Sequence, residues 1–205
     1  SLIGSLWHWR DQCHRLEIRE FDLNLIESID GVVGEGLYFL DVGQGSTACA
    51  STLSKNECGM IAARSLAILA DFKFHKPFSV VTAPIDKSSV NKVGFSWPGQ
   101  TEYFEAIWKT RAIMLLAGPT LKVGLVTNHL PISSVSIAIS QDLIIEKLTI
   151  LTRAMRDIYG IAVPKIAVSG LNPHCGDSGM FGDEELEIIQ PAIEKFNRVV
   201  DHKIC

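Results

Sequence analysis

Short β-branched or aliphatic runs that end in small or polar residues alternate along this chain with segments of helical periodicity. That alternation restricts the fold more than any other feature of the sequence. Runs at 78–83, 112–117, 122–127 and 165–169 read as buried strands. Ahead of them, a short helix over 2–14 leads to a strand at 16–21, and the glycine-studded stretch 31–45 surrounds a further strand at 37–42. Ser54 and Glu57 have capping-box spacing before the apolar stripe of Met60, Ile61, Leu66, Ile68, Leu69 and Phe72, a helix that Pro77 ends. Ser140 caps a helix carrying Leu143, Ile144, Leu148, Leu151, Met155 and Ile158, which Gly160 stops in a left-handed conformation. A last helix opens on Asp183, Glu184 and Glu185, acids suited to the positive end of its dipole, and Pro191 kinks or restarts it. The whole predicts an α/β fold in a single unit over 1–205, because 205 residues suffice for one core.

Charge and composition exclude several classes of function. Nineteen basic against 23 acidic side chains leave a net charge of −4, so no global field draws nucleic-acid phosphates or an anionic membrane. The apolar runs are broken by charges well short of the roughly 20 residues that a bilayer requires. The first residues lack the basic segment and long apolar core of a secretory signal. Cys13, Cys49, Cys58, Cys175 and Cys205 are odd in number and widely spaced, with no CxxC pair. They read as reduced thiols of a cytoplasmic protein, and neither as a disulfide framework nor as a zinc ribbon.

Open α/β sheets place ligands beyond the carboxyl ends of their strands, and polar residues gather just past those ends here. His129 and His174 each follow a strand-like run, where a neutral imidazole can ligate a divalent cation; the alternative is a hydrogen-bonded structural histidine. Cys175 and Asp177 are further candidate ligands, or else an inert small residue and a turn residue. Lys87 stands after a proline turn from which its ammonium can reach an anionic or carbonyl substrate, or remain solvated. Asp86 beside it reads as an acceptor of turn hydrogen bonds. Thr101 lies near a helix start, where backbone N–H groups and its hydroxyl can bind phosphate, or where it caps the helix. Gly43-Gln-Gly45-Ser-Thr-Ala48 matches the relaxed dinucleotide fingerprint, but the capped helix begins near Ser54 and no strand-end acid follows about 20 residues on. The stretch is therefore read as a loop, and residues that bind a dinucleotide stay unassigned.

Four blocks stand in one order and spacing: Val81-Thr-Ala-Pro84-Ile-Asp-Lys87, Pro98-Gly-Gln-Thr-Glu-Tyr-Phe104, Val126-Thr-Asn-His129-Leu-Pro131 and Gly170-Leu-Asn-Pro-His174-Cys-Gly-Asp177. Together they resemble the signature blocks of the 4-hydroxythreonine-4-phosphate dehydrogenase family, with the resemblance covering about 43–199. It implies an isocitrate-dehydrogenase-like α/β/α fold, of which this chain is the central part, lacking the family's terminal regions. It also implies NAD-dependent oxidation and decarboxylation of 4-phosphooxy-L-threonine in pyridoxal 5′-phosphate biosynthesis. In such enzymes the histidines matching His129 and His174 hold a divalent metal, and a third arrives from the partner subunit of a cytoplasmic homodimer. Thr101 and Gln100 fall in the block that contacts the substrate phosphate, and Lys87 is an auxiliary catalytic candidate. Gln100 stands where the family normally has histidine, a neutral donor in place of a possible cation. Two other readings follow from these departures: a truncated, non-catalytic member, or a relative acting on another phosphorylated hydroxy acid. The metal itself stays open among Zn²⁺, Co²⁺ and Mg²⁺, since two imidazoles suit several ions.

Overall fold

The computed structural model describes residues 1–43, 53–71 and 78–199. The chain divides into two compact units, Ser1–Thr110 and Arg111–Cys205, within the span 1–205 that the sequence reading treats as one α/β unit. Both the predicted end of the second helix at Phe72–Pro77 and most of the glycine-rich turn after Gly43 lie outside the described residues.

In the first unit, β1 (Leu2–Gly4) leads into α1 (Leu6–Arg15), followed by β2 (Asn24–Ile26) and β3 (Tyr38–Asp41). The three strands form a parallel sheet in the order β1-β3-β2, with Leu2 opposite Phe39 and Asn24 opposite Tyr38. β3 is the central strand, and Tyr38, Phe39 and Leu40 are all buried, the continuous apolar run of a strand covered on both faces. Asp41 at its end accepts hydrogen bonds from the N–H groups of Leu6 (3.1 Å) and Gly43 (2.9 Å), so an acid on β3 secures the start of α1.

The rest of that unit is helical: α2 (Lys55–Asp71), α3 (Lys87–Lys92) and α4 (Gln100–Ile107). The capping box forms as its spacing predicts: the Glu57 N–H donates to Ser54 Oγ at 3.3 Å, and the Ser54 N–H donates to Glu57 Oε2 at 2.8 Å. Leu66, Val90, Phe95 and Tyr103 make the buried centre, with Ala62, Ile85, Phe104 and Ile107 packed on them. Asp86 caps α3, accepting from the Ser89 N–H at 2.8 Å and from the hydroxyls of Ser88 and Ser89 at 2.7 and 2.5 Å. The Ser88 hydroxyl, helped by Ser89, holds its carboxyl at about 2 instead of the ordinary 3.8.

The second unit opens with β4 (Leu115–Ala117) and β5 (Lys122–Gly124), paired antiparallel. A 3₁₀ turn at Ile132–Ser134 precedes α5 (Val135–Ala138), α6 (Gln141–Asp157) and α7 (Gln190–Val199), and a single π-helical stretch at Glu185–Ile189 runs into α7. The Leu143 N–H donates to Ser140 Oγ at 3.2 Å, which caps α6 as expected. At its other end Gly160 adopts φ +66°, and the N–H groups of Gly160 and Ile161 close on the carbonyls of Arg156 and Met155. Ile144, Leu148, Ile189, Ala192 and Phe196 are the buried core between α6 and α7. Truncating Ile144 or Phe196 to Ala costs about 3–5 kcal/mol. Pro191 falls at the start of α7, where the π-helical stretch hands over to an α-helix, so its missing N–H marks a restart.

Several predicted strands are corrected. Leu2–Gly4 is a strand and not the start of a helix, because pairing with β3 overrides local helical pattern. The strand expected at 16–21 is absent: α1 extends to Arg15, Glu17 turns at φ +53°, and Leu16, Ile18 and Phe21 are exposed. The runs at 78–83 and 165–169 make no ladder among the described residues, and Val81 is 97% exposed. The runs at 112–117 and 122–127 shrink to β4 and β5 and are half-exposed, not buried. Only Gly118-Pro-Thr-Leu121 joins them, far short of the dozen or more residues that a parallel crossover needs, so they pair antiparallel.

Two measurements follow from the helix caps. Ser140→Ala removes the acceptor for the Leu143 N–H and lowers stability by about 1 kcal/mol, read as a denaturant midpoint shift at unchanged slope. Because the folded Asp86 carboxyl titrates at about 2 and the free one at 3.8, its stabilisation is complete above 3.8 and disappears as pH falls through about 2. Melting curves of Asp86→Asn are therefore flatter than those of the parent across that acid interval, and parallel acid limbs would refute the assignment.

Candidate functional site

In the second unit, Asn172-Pro173-His174 begins as extended backbone, with Asn172 at φ −89° and ψ 157°, as a residue before proline prefers. Five consecutive residues then turn left-handed: His174 (φ 51°), Cys175 (53°), Gly176 (76°), Asp177 (41°) and Ser178 (58°). For each of the four that are not glycine, this conformation costs about 1–2 kcal/mol, so other contacts must hold the turn. Glu185 provides them. It is 9% exposed, and its Oε1 accepts from the N–H groups of Leu171 and Asn172, both at 2.7 Å, while Oε2 accepts from Asn172 Nδ2 at 2.9 Å. Asn172 Nδ2 also donates to Glu184 Oε2 at 2.7 Å. The backbone N–H of Asn172 has the largest influence on the Glu185 carboxyl and keeps it below its usual range, outweighing burial, which pushes it up.

The glycines of the loop are there for space as well as for conformation. A Cβ on Gly170 would stand 2.9 Å from Cys175 Sγ and 3.1 Å from Glu185 Oε1, and one on Gly176 would stand 2.9 Å from Glu185 Oε2. The loop thus wraps the carboxylate from both sides and leaves His174 exposed, its ring 6.3 Å from that of Phe181. Cys175 is an exposed free thiol, and Asp177 is a turn residue whose carbonyl accepts from the Met180 N–H. Glu185 lies at a helix start as the sequence predicts, and its carboxylate also bonds a loop 13 and 14 residues earlier, which no local pattern reveals.

His129, beyond β5, is likewise exposed and left-handed at φ 56°, with its Nδ1 3.5 Å from Asn128 Nδ2. Both candidate ligand histidines therefore share a conformation that non-glycine residues rarely adopt. Among the described residues no three His, Cys, Asp or Glu side chains come together as a metal site. Imidazole is a donor suited to a borderline divalent ion, and a site built on these two histidines would need further ligands.

Lys87, Gln100 and Thr101 lie in the first unit. Lys87 is the exposed first residue of α3, just past the cap Asp86. Gln100 opens α4 and donates from Nε2 to the carbonyl of Ala83 at 3.2 Å, leaving one N–H of its amide. Gly99 is the N-cap of α4, which has no side-chain cap, so Thr101 is a half-buried second residue of the helix and not its cap. Gln100 also reaches a cavity of about 830 Å³ lined by Trp9, Phe39, Leu66, Phe78 and Thr82. Sequence reasoning missed this cavity, because its walls come from segments scattered over the first hundred residues. Only Gly43 of the possible dinucleotide fingerprint is described. No helix among them is long and apolar enough to cross a membrane.

Comparison with known proteins places this geometry. The family model for "Pyridoxal phosphate biosynthetic protein PdxA" matches residues 3–203. The 4-hydroxythreonine-4-phosphate dehydrogenase of Cupriavidus pinatubonensis is 44% identical over 123 residues, which cover 56% of this chain and 35% of that protein. That of Bacteroides thetaiotaomicron is 43% identical over 118 residues, covering 57% and 32%. The solved 4-hydroxythreonine-4-phosphate dehydrogenase of Klebsiella pneumoniae superposes with a TM-score of 0.79 at 23% identity, over 99% of this chain and 62% of the other. A terephthalate 1,2-cis-dihydrodioldehydrogenase from Burkholderia xenovorans shares the fold at a TM-score of 0.59 and 20% identity, again over 99% and 62%. The matched stretch is about a third of the length of the curated relatives. With mixed α/β architecture and a family match over nearly all its length, the chain belongs to the family of pyridoxal phosphate biosynthetic protein PdxA.

Proposed function

We propose that this chain is part of an NAD-dependent, divalent-metal-assisted dehydrogenase that oxidises and decarboxylates 4-hydroxythreonine 4-phosphate. The reading rests on the family match over residues 3–203, and its site on the two exposed, left-handed histidines. It makes 1–205 the central part of a longer isocitrate-dehydrogenase-like α/β/α protein, consistent with coverage of 62% of the solved relatives. It further makes the enzyme a cytoplasmic homodimer whose partner completes the metal site.

His129 and His174 hold the ion, each from a backbone that keeps its imidazole out in solvent. A divalent ion held there would supply Lewis-acid polarisation of the substrate hydroxyl, and NAD would be the hydride acceptor. Thr101 meets the substrate phosphate with its hydroxyl at the start of α4. The remaining N–H of Gln100 donates to the same group, a weaker contact than a cation gives. Lys87 presents its ammonium to an anionic or carbonyl group of the substrate from the first turn of α3.

The test is NADH formation from 4-hydroxythreonine 4-phosphate with Zn²⁺, Co²⁺ or Mg²⁺. His129→Ala and His174→Ala each lower the rate at least about a hundredfold with circular dichroism unchanged. Gln100→His lowers the KM for the phosphorylated substrate by roughly tenfold and leaves kcat within a small factor. Loss of fold in parallel with loss of activity would return both histidines to a structural role. A second reading, a non-catalytic member, is motivated by the match covering only 35% of the curated relative's length. A folded dimer that neither binds NAD nor forms NADH would establish it.

A further inference from the structure

We propose that Glu185 is the positioning residue for His174: its buried carboxylate clamps the left-handed turn that carries the imidazole. The inference rests on the metal-ligand role proposed above for His174. Leu171 and Asn172 donate their N–H groups to one carboxylate oxygen, and Asn172 Nδ2 donates to the other, so three bonds fix the segment just before Pro173. On the far side of the histidine, Gly176 lies against that second oxygen so closely that a Cβ would stand 2.9 Å away. Gly170 lies against the first oxygen, where a Cβ would stand 3.1 Å away. The carboxylate is thus gripped at four residues before His174 and at two residues after it. Between those points the backbone runs extended through Asn172 and turns left-handed at His174.

Glutamate suits this role better than its neutral analogue. The donors converging on it are N–H groups, and an ionised carboxylate offers acceptors on both oxygens and nothing else. Gln at 185 would keep an acceptor for the two backbone N–H groups but turn an NH₂ on Asn172 Nδ2. Glu184 shares only the Asn172 side chain and touches neither backbone N–H, so it does not replace Glu185.

The experiment is Co²⁺ titration by calorimetry on the full chain for the parent, Glu185→Ala, His174→Ala and the double variant. Each is checked by circular dichroism and melting. Glu185→Ala is expected to weaken Co²⁺ binding by about 10- to 100-fold. The double variant is expected to bind no more weakly than His174→Ala, because Glu185 acts only through that imidazole. Parental affinity in Glu185→Ala, or losses that add in the double variant, would overturn the proposal. If His174→Ala binds Co²⁺ as the parent does, the metal role fails by itself. Positioning is then read from the His174 ring resonances, which move in metal-free Glu185→Ala if the proposal holds and stay in place if it does not. Should Glu185→Ala not fold, Glu185→Gln takes its place, with a loss of about fivefold expected for one hydrogen bond and an unchanged affinity overturning the role.

Discussion

A single carboxylate, that of Glu185, sets the conformation on which the candidate metal loop depends. Four L-residues held left-handed at 174–178 cost about 1–2 kcal/mol each, which turn bonds within the loop and the bonds to Glu185 together must offset. Three charge-assisted bonds from Leu171 and Asn172, at about 1.5–3 kcal/mol each, are of the same size and offset it. The strain therefore persists because the surroundings over-determine it. Glu185 also begins the π-helical stretch that leads into α7, whose Ala192 and Phe196 pack on α6. The loop is in this way anchored to the hydrophobic core of its unit through one side chain.

The first unit organises its polar groups by a different device. Asp86 and Gly99 stand at the starts of α3 and α4, and the residues with chemical potential, Lys87, Gln100 and Thr101, occupy the first turns that follow. A helix start leaves N–H groups without intrahelical partners, which makes it a natural place to hold an anion. The two starts differ in what is left over. Asp86 caps α3 through the Ser89 N–H, whereas α4 has no side-chain cap hydrogen bond. Gln100 ties that start to the carbonyl of Ala83 and to the cavity beside it.

Local signals were legible in the sequence where their physics is local. The Ser54–Glu57 box, the Ser140 cap and the Gly160 stop each bond within a few residues, and each forms as its spacing predicts. Strands fared worse, because a strand exists only where another pairs with it. The runs at 78–83 and 165–169 have the right composition and no partner among the described residues, while Leu2–Gly4 has helix-compatible neighbours and pairs with β3. The antiparallel pairing of β4 with β5 was within reach of sequence reasoning, since a four-residue link forbids a parallel crossover.

The sequence by itself determined the family, through four blocks whose residue types and spacing recur together, and with it the candidates His129, His174, Lys87, Gln100 and Thr101. It also determined the two long helices α2 and α6, whose caps and apolar stripes lie within one continuous segment. Only the tertiary structure decided that both histidines stand left-handed and exposed, and that Glu185, at a helix start, also bonds the backbone of the 170–178 loop. The reason is separation along the chain: the bonds that fix the loop join residues 13 and 14 positions apart, and no periodicity or propensity encodes a contact at that distance.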